Sequence, residues 1–145
     1  MTTDKKNDKE SYAIAVPRDD PDMHQAYREA RDTVGTFIAR LRNPTPTQDY
    51  FAVKIRLRGD SGDEYIWLRD VSYDELAFTG EMSSAPGVPP YKLGDRYRVD
   101  KNDIYDWMIV DNGSLVGGYT IRVARRKMSV EDRIQFDERI WFNID

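Results

Sequence analysis

The apolar residues in the first third of the chain recur at steps of three and four. They are Met23, Ala26, Tyr27, Ala30, Val34, Phe37, Ile38 and Leu41. Because an α-helix turns every 3.6 residues, this spacing predicts one amphipathic helix of about 20 residues. Asp20 before Pro21 is typical of a helix start, and Asn43 before Pro44 of a helix end. Gly35 lies inside this helix, and we expect its missing side chain to allow a strand to approach closely.

From Tyr50 onward the apolar period changes to two. Apolar residues alternate with a second, mostly basic set: Phe51, Val53, Ile55 and Leu57 against Ala52, Lys54, Arg56 and Arg58. This alternation predicts a half-buried strand with a basic outer face. Residues 64–69 and 75–81 predict two more strands, and the three strands are expected to form an antiparallel meander.

The second half of the chain predicts further strands and a final helix. A proline-rich loop over residues 82–93 precedes a strand over 94–99, and residues 106–110 form a strand that turns at Asp111-Asn112-Gly113. After Gly118 the pattern fits both a strand and a helix. Ser129, followed by Glu131 and Asp132, is typical of a helix start.

These elements predict an α+β fold. We expect a long N-terminal helix packed on a twisted antiparallel sheet of about five or six strands, with a C-terminal helix. Residues 1–10 are polar and charged, and we expect a disordered tail there and a single domain over residues 11–145. The short apolar run of residues 12–16 ends at Pro17 and is expected to be an edge strand or an anchored arm.

Composition limits the possible functions. The chain has 145 residues, a net charge of −4 and no cysteine, so disulfides and thiolate chemistry are excluded. The acidic balance gives no general attraction to nucleic acid or to an anionic membrane. No apolar run is long enough for a secretory signal or a membrane helix. We therefore expect a cytoplasmic protein without a membrane partner.

The residues offer no catalytic constellation. His24 is the single histidine, and we expect it to face solvent on the first helix. The many carboxylates show no spacing that selects a pair for acid–base work. We therefore predict no catalytic residues, no metal site and no cofactor. The basic cluster Arg122, Arg125, Arg126 and Lys127 is expected to be a solvated face paired with Glu131 and Asp132, and not a nucleic-acid site.

The Gly117-Gly118 step is the best candidate for a ligand site. Successive backbone N–H groups at such a step can bind an anion, with Arg122 as a second contact. The alternative is close backbone packing or a bulge, with Gly117 or Gly118 at positive φ or close to the Trp107 side chain. The predicted ligand-binding residues are Trp67, Thr79, Asp106, Trp107, Gly117, Gly118, Tyr119 and Arg122.

Several segments also resemble a known family. They are FAVKIRL, EYIWLRDV, FTGEM, KLGDRYRV and DIYDWMIVDNGSLVGGYTIRV, and their order resembles the YegJ-like bacterial domain family of unknown function over roughly Phe51 to Met128. The Asp-Trp-Met and Gly-Gly-Tyr-Thr-Ile-Arg pieces are the most specific. The resemblance implies a domain boundary and a bacterial origin. It implies no reaction, because the family has no established activity.

Two functions from different classes fit the sequence. The first is a non-enzymatic module that binds another protein, with an immunity protein that neutralises a cognate toxin as its narrower form. Tyr65 and Trp67 are expected on the outer face of their strand, where aromatic residues without a core to fill suggest a partner. The alternative is a small-ligand-binding or enzymatic domain with a pocket near Gly117-Gly118.

Overall fold

The computed structural model describes Pro17 and residues 19–144. In that part of the chain, four α-helices and six strands form an α+β domain. The helices are α1 (Pro21–Asp32), α2 (Val34–Arg42), α3 (Tyr119–Lys127) and α4 (Val130–Arg139). The strands are β1 (Gln48–Leu57), β2 (Glu64–Tyr73), β3 (Ala77–Met82), β4 (Arg96–Asp100), β5 (Asp106–Asp111) and β6 (Ser114–Gly117). The predicted tail and the predicted edge strand or arm over residues 12–16 lie outside the described residues.

The six strands form one antiparallel sheet in the order β4-β3-β2-β1-β5-β6. The predicted meander of the first three strands is therefore confirmed. Strand β1 is central, and Lys54 on it lies opposite Trp67 on β2 and opposite Asp106 on β5. This register brings together side chains that are far apart in the sequence.

The prediction of one long N-terminal helix is wrong. Helices α1 and α2 are separate because the backbone leaves helical geometry at Thr33, with φ −108° and ψ 7°. The Thr33 hydroxyl donates to the carbonyl of Glu29 at 2.6 Å and contacts the Tyr119 hydroxyl at 3.0 Å. It also accepts from the indole N–H of Trp107 at 3.0 Å. These contacts from β5 and α3 fix the position of the break.

The expected role of Gly35 is also wrong, because an added Cβ there would meet no atom within 4 Å. Helix α2 instead packs on the sheet through Phe37, which is fully buried. The ring of Phe37 lies 5.5 Å from the rings of both Phe78 and Trp107. These aromatic contacts anchor the helix over β3 and β5.

Both faces of the central strands are buried, which corrects the predicted basic outer face. Lys54 is only 3% exposed, and Trp67 and Tyr65 are 1% and 7% exposed. Trp67 packs in a core with Ile121 of α3 and Phe136 of α4, while Tyr65 packs beside α1 and α3. The expectation that Tyr65 and Trp67 lie on an outer face is therefore wrong, because the C-terminal helices cover that face.

Other boundaries follow the sequence with small shifts. The segment after Gly118, which fitted two patterns, is helix α3, and Ser129 caps α4 by accepting from the N–H of Asp132 at 3.1 Å. Leu76 was predicted in the third strand but lies in the preceding turn and is 67% exposed. His24 is exposed as expected. Within the described residues, no helix is long and apolar enough to cross a membrane.

Candidate functional site

The buried carboxylate of Asp106 joins strand β5 to the start of helix α3. Its Oδ1 accepts from the backbone N–H groups of Trp107 at 2.8 Å and Tyr119 at 3.1 Å. Its Oδ2 accepts from the backbone N–H of Thr120 at 2.8 Å and from its hydroxyl at 2.5 Å. Because the first N–H groups of a helix have no partner within the helix, this carboxylate caps α3 from a neighbouring strand.

Lys54 completes this network from β1. Its ammonium donates to the Thr120 hydroxyl at 3.2 Å and lies 5.9 Å from the centre of the Trp67 ring. Asp106 and Thr120 are both fully buried. Burial raises the pKa of Asp106 above its usual value, while the hydrogen bonds from Thr120 and the charge of Lys54 oppose that rise. The arrangement connects β1, β5 and α3, so it is a structural joint in the core.

The two glycines make this joint possible. Gly117 and Gly118 have φ values of 74° and 63°, so both lie in the left-handed region that favours glycine. A Cβ on Gly117 would approach the Trp107 ring and its carbonyl oxygen to 2.6 Å, and one on Gly118 would approach Leu115 to 2.7 Å. The prediction of positive φ and close contact with Trp107 is confirmed.

The anion at the Gly-Gly step is the protein's own carboxylate. Asp106 accepts from the N–H groups that follow Gly118, where the sequence suggested an external anion. Arg122 donates to the carbonyls of Gly117 at 2.9 Å and Leu115 at 2.8 Å. The backbone groups of the step are thus used within the fold.

The other predicted site residues divide between two places. Trp107 lies beside Tyr119, with ring centres 5.8 Å apart, on the face of the sheet that α2 covers. Trp67 lies in the core on the opposite face, and Thr79 lies on β3 opposite Arg98. The structure therefore brings Asp106, Trp107, both glycines, Tyr119 and Arg122 to one joint. Trp67 borders that joint through Lys54, and Thr79 lies apart from it. A ligand-binding role for these residues stays a prediction.

Two clefts in the described surface differ in size and in the residues that line them. Tyr119 and Arg122 line a groove of about 100 Å³ between α1 and α3, below the roughly 300 Å³ of a typical ligand pocket. A larger cleft of about 630 Å³ lies between the turn after β1 and the proline-rich loop. Two of its carboxylates already have partners, because Glu64 accepts from the N–H of Gly87 and Asp63 pairs with Arg56. Among the described residues, no group of three His, Asp or Glu side chains is placed to hold a metal ion.

Arg125 and Lys127 of the predicted basic cluster form ion pairs with aspartates of α4 and of the start of α1. Arg125 makes two hydrogen bonds to Asp137, at 2.9 Å and 2.7 Å, and this contact lowers the pKa of Asp137. Lys127 pairs with Asp22 at 2.9 Å and Asp20 at 3.3 Å. These bridges attach α4 and the start of α1 to α3.

Helix α4 carries two exposed apolar residues that are not among the predicted site residues. Val130 and Ile134 are 71% and 54% exposed and lie four residues apart, on one side of the helix. The helix is held to the domain mainly by the buried Phe136, by the Arg125–Asp137 pair and by Arg133, which donates to two carbonyls of α3. The four-residue spacing was visible in the sequence, but it did not show which side of α4 packs on the sheet.

Acidic residues flank one side of this apolar pair. Glu131 lies three residues before Ile134 and Glu138 four residues after it, and both are exposed. We use the name α4 patch for Val130 and Ile134 together with these two carboxylates. A single exposed apolar residue is ordinary, whereas interaction surfaces combine adjacent apolar residues with a polar rim.

Comparisons with known proteins identify the relatives of this fold. A family model described as "Uncharacterized protein conserved in bacteria" (DUF2314) matches residues 20–144. The "Uncharacterized protein YegJ" of Escherichia coli (strain K12) is 35% identical over 100 residues, which are 68% of this chain and 64% of the relative. The resemblance seen in the sequence motifs is thereby confirmed.

A second relative comes from Neisseria meningitidis serogroup B and is provisionally named an ankyrin repeat protein. It is 31% identical over 137 residues, which are 88% of this chain and 54% of the relative. The chain therefore spans less than two thirds of the length of these curated relatives. No solved structure matches the chain.

Proposed function

The chain belongs to the DUF2314 family of uncharacterized proteins conserved in bacteria, and we propose that it acts there as a non-enzymatic module that binds another protein. The observation that carries this proposal is the α4 patch. Val130 exposes most of its surface and Ile134 about half. The helix that carries them contributes only Phe136 to the core. Burying them in a complex would contribute about 1 to 2 kcal/mol each.

The chemistry of the α4 patch defines the partner. The apolar pair fits a shallow apolar groove, as in the recognition of a helix face by a grooved protein. The exposed carboxylates of Glu131 and Glu138 favour basic residues at the rim of that groove. A net charge of −4 adds long-range attraction to such a partner and speeds its association.

The comparisons support a protein as the partner. Ankyrin repeats, for which the Neisseria relative is named, are stacked helical units with extended binding surfaces. An immunity protein that neutralises a cognate toxin is the narrower form of this proposal. It is supported by the acidic charge, which would suit a basic toxin surface, and it would be expected in the cytoplasm.

The alternative function is a ligand-binding or enzymatic domain near Gly117-Gly118. Its support is the groove beside Tyr119 and Arg122, but that groove holds only about 100 Å³. The backbone donors nearby are already bonded to Asp106. These contacts favour the protein-binding function over the alternative.

Photo-crosslinking in living cells tests the proposal. A photoreactive phenylalanine analogue replaces Ile134 in a bacterium that carries the gene, and a matched variant carries it at Leu76, which is also exposed. We expect a discrete crosslinked protein from position 134, absent from position 76 and lost when Val130→Asp is added. The captured protein is then identified, purified and titrated against the unmodified chain. Equal crosslinking at both positions, or no binding in that titration, would overturn the proposal.

A further inference from the structure

Strand β4 forms one edge of the sheet. Among residues 19–144, no strand pairs with its outer side. The other edge strand, β6, is partly covered, because the backbone of Asn143 bonds to Gly113 and Leu115 beside it. An open edge presents a row of backbone donors and acceptors to which another strand can be added. The edge of β4 is therefore the place where this sheet can be extended.

The register of the sheet shows which backbone groups of β4 point outward. The N–H of Lys101, which follows β4, donates to the carbonyl of Leu76 at 3.1 Å, and the register between β3 and β4 has no irregularity. Because inward and outward bonding alternate along an antiparallel strand, the odd-numbered residues of β4 bond to β3. The N–H and carbonyl groups that point outward are those of Arg96, Arg98 and Asp100.

The side chains of β4 alternate between a charged face and an apolar face. Arg96, Arg98 and Asp100 are exposed, whereas Tyr97 and Val99 pack against the core on the other face. Like charges directly opposite each other on neighbouring strands destabilise their pairing, and opposite charges stabilise it. Because β4 begins with a positive residue and ends with a negative one, it fits a strand that carries the reverse order of charges.

A second copy of β4 has that order when it runs antiparallel. With a twofold axis at Arg98, Arg96 of each chain lies opposite Asp100 of the other. On the apolar face, Tyr97 of each chain lies opposite Val99 of the other, an aromatic and β-branched pair that stabilises antiparallel strands. The outward backbone groups then bond to one another in the same register. The strand is therefore complementary to itself in backbone bonding, in charge and in shape.

The one like-charged pair lies on the axis, where the two Arg98 side chains face each other. Each guanidinium is already bonded to Asp74 of its own chain, with donor–acceptor distances of 3.3 Å from Nε and 3.0 Å from Nη2. This carboxylate offsets the positive charge of Arg98 at the axis. The central pair therefore opposes the pairing less than two isolated arginines would.

We propose that this protein forms a homodimer through antiparallel pairing of two β4 strands, which joins two six-stranded sheets into one. Five residues a strand bury less than the roughly 1,200 Å² of a standard interface, so the dimer is weak and reversible. The pairing uses no residue of the α4 patch. It therefore stands or falls independently of the proposed function.

Exchange of the two end charges tests the pairing. Arg96→Asp places two negative charges at each end of the paired strands, and Asp100→Arg places two positive charges there. An equimolar mixture of the two variants regains opposite charges at both ends. By sedimentation equilibrium up to about 1 mM, we expect the unmodified chain to dimerise and each variant alone to have a dissociation constant at least tenfold higher. The mixture should dimerise like the unmodified chain. Circular dichroism checks that each variant is folded.

The matched control replaces Asp100→Arg by Asp60→Arg, which makes the same charge change at an exposed residue of the turn after β1. Mixed with Arg96→Asp, it should give the mean of the masses that the two proteins show separately. A monomeric unmodified chain, a dimer that Arg96→Asp does not weaken, or a test mixture that associates no more than this control would overturn the proposal.

A cysteine on the axis gives a second test that does not use the charge variants. The chain has no cysteine of its own. In the proposed register the two Cα atoms at position 98 lie about 5.5 Å apart, within the span of a disulfide. Under mild oxidation, Arg98→Cys should form a disulfide between chains at least tenfold faster than Asp60→Cys. Equal rates would contradict the proposed register.

A third measurement separates this edge from the α4 patch. Val130→Asp with Ile134→Asp should leave the dissociation constant of the homodimer unchanged, because neither residue lies on β4. If that variant abolishes the dimer while Arg96→Asp leaves it intact, the two chains associate through α4 and the pairing of the β4 strands is wrong.

Discussion

Asp106 and Thr120 are joined twice, through the backbone N–H and the hydroxyl of Thr120, at 2.8 Å and 2.5 Å from the same carboxylate oxygen. This relationship connects the central sheet to α3 at a point from which water is excluded. It is possible because Gly117 and Gly118 turn the chain through left-handed conformations between the two residues. The feature of the sequence that most resembled a ligand site is thus the joint that holds the C-terminal half on the sheet.

Asp106→Ala should be strongly destabilising. It leaves the backbone N–H groups of Tyr119 and Thr120 without the acceptor they have in the structure, and it removes a carboxylate whose charge interacts with the buried Lys54. A buried group without its partner costs about 1 to 3 kcal/mol, so we expect a loss of at least about 3 kcal/mol in the free energy of unfolding. Urea denaturation measures it, with the exposed Asp103→Ala as the matched control. Equal midpoints for the two variants would show that the network is dispensable.

Two glycine substitutions should act in opposite directions. Gly118→Val forces a β-branched residue into φ 63° and onto Leu115, and we expect a loss of about 2 to 4 kcal/mol. Gly35→Ala meets no neighbouring atom and removes a glycine from the first turn of α2, so we expect a gain of up to about 1 kcal/mol. Thermal unfolding of both variants checks the pair. A melting temperature unchanged by Gly118→Val would contradict the argument.

Trp67→Ala should cost about 3 to 5 kcal/mol because it leaves a cavity between the sheet and α3 and α4. Lys54 also loses the ring that its ammonium faces. The measurement is the denaturant midpoint, with Leu76→Ala as an exposed control that we expect to change it by less than about 0.5 kcal/mol. A folded and equally stable Trp67→Ala variant would contradict the burial of Trp67 and would again make it a candidate interface residue.

Stability should fall in acid. The pKa of Asp74 is lowered by hydrogen bonds from the N–H of Leu76 and from Arg98, and the pKa of Asp111 is lowered by Thr47 and Gln48. A carboxyl with a lowered pKa stabilises the fold at pH values above its usual pKa of 3.8, and that contribution is lost as the pH falls below it. Asp106, with a raised pKa, acts in the opposite direction. Urea midpoints from pH 6 to pH 3 should therefore decrease, and Asp74→Asn should flatten the decrease. An increase in stability toward pH 3 would contradict these assignments.

Local periodicity predicted most elements of this fold, and long-range contacts decided the rest. The alternation after Tyr50 and the turn at Asn112-Gly113 are local signals, and both gave strands where the structure has them. The break at Thr33 was not predictable locally, because the indole of Trp107 that bonds it is 74 residues away. The burial of Trp67 likewise depends on α3 folding back over the sheet.

The candidate site shows the same limit. The unusual glycines and the importance of Asp106 were visible in the sequence, but Lys54 and Thr120 were not. Their role follows from the strand register, which places Lys54 opposite Asp106. Predicting the α4 patch from the sequence would have required knowing which side of this short helix packs on the domain. The burial of Phe136 shows that side in the structure.

The most direct test of the protein-binding account is the affinity of the partner captured at position 134 for matched charge variants. Isothermal titration compares the unmodified chain, Val130→Asp with Ile134→Asp, and the control Leu76→Asp with Leu93→Asp, whose apolar side chains are also exposed. We expect the α4 variant to bind at least tenfold more weakly, a loss of about 1.4 kcal/mol or more, and the control to bind like the unmodified chain. Equal dissociation constants for all three proteins would contradict the claim that the α4 patch is the binding surface.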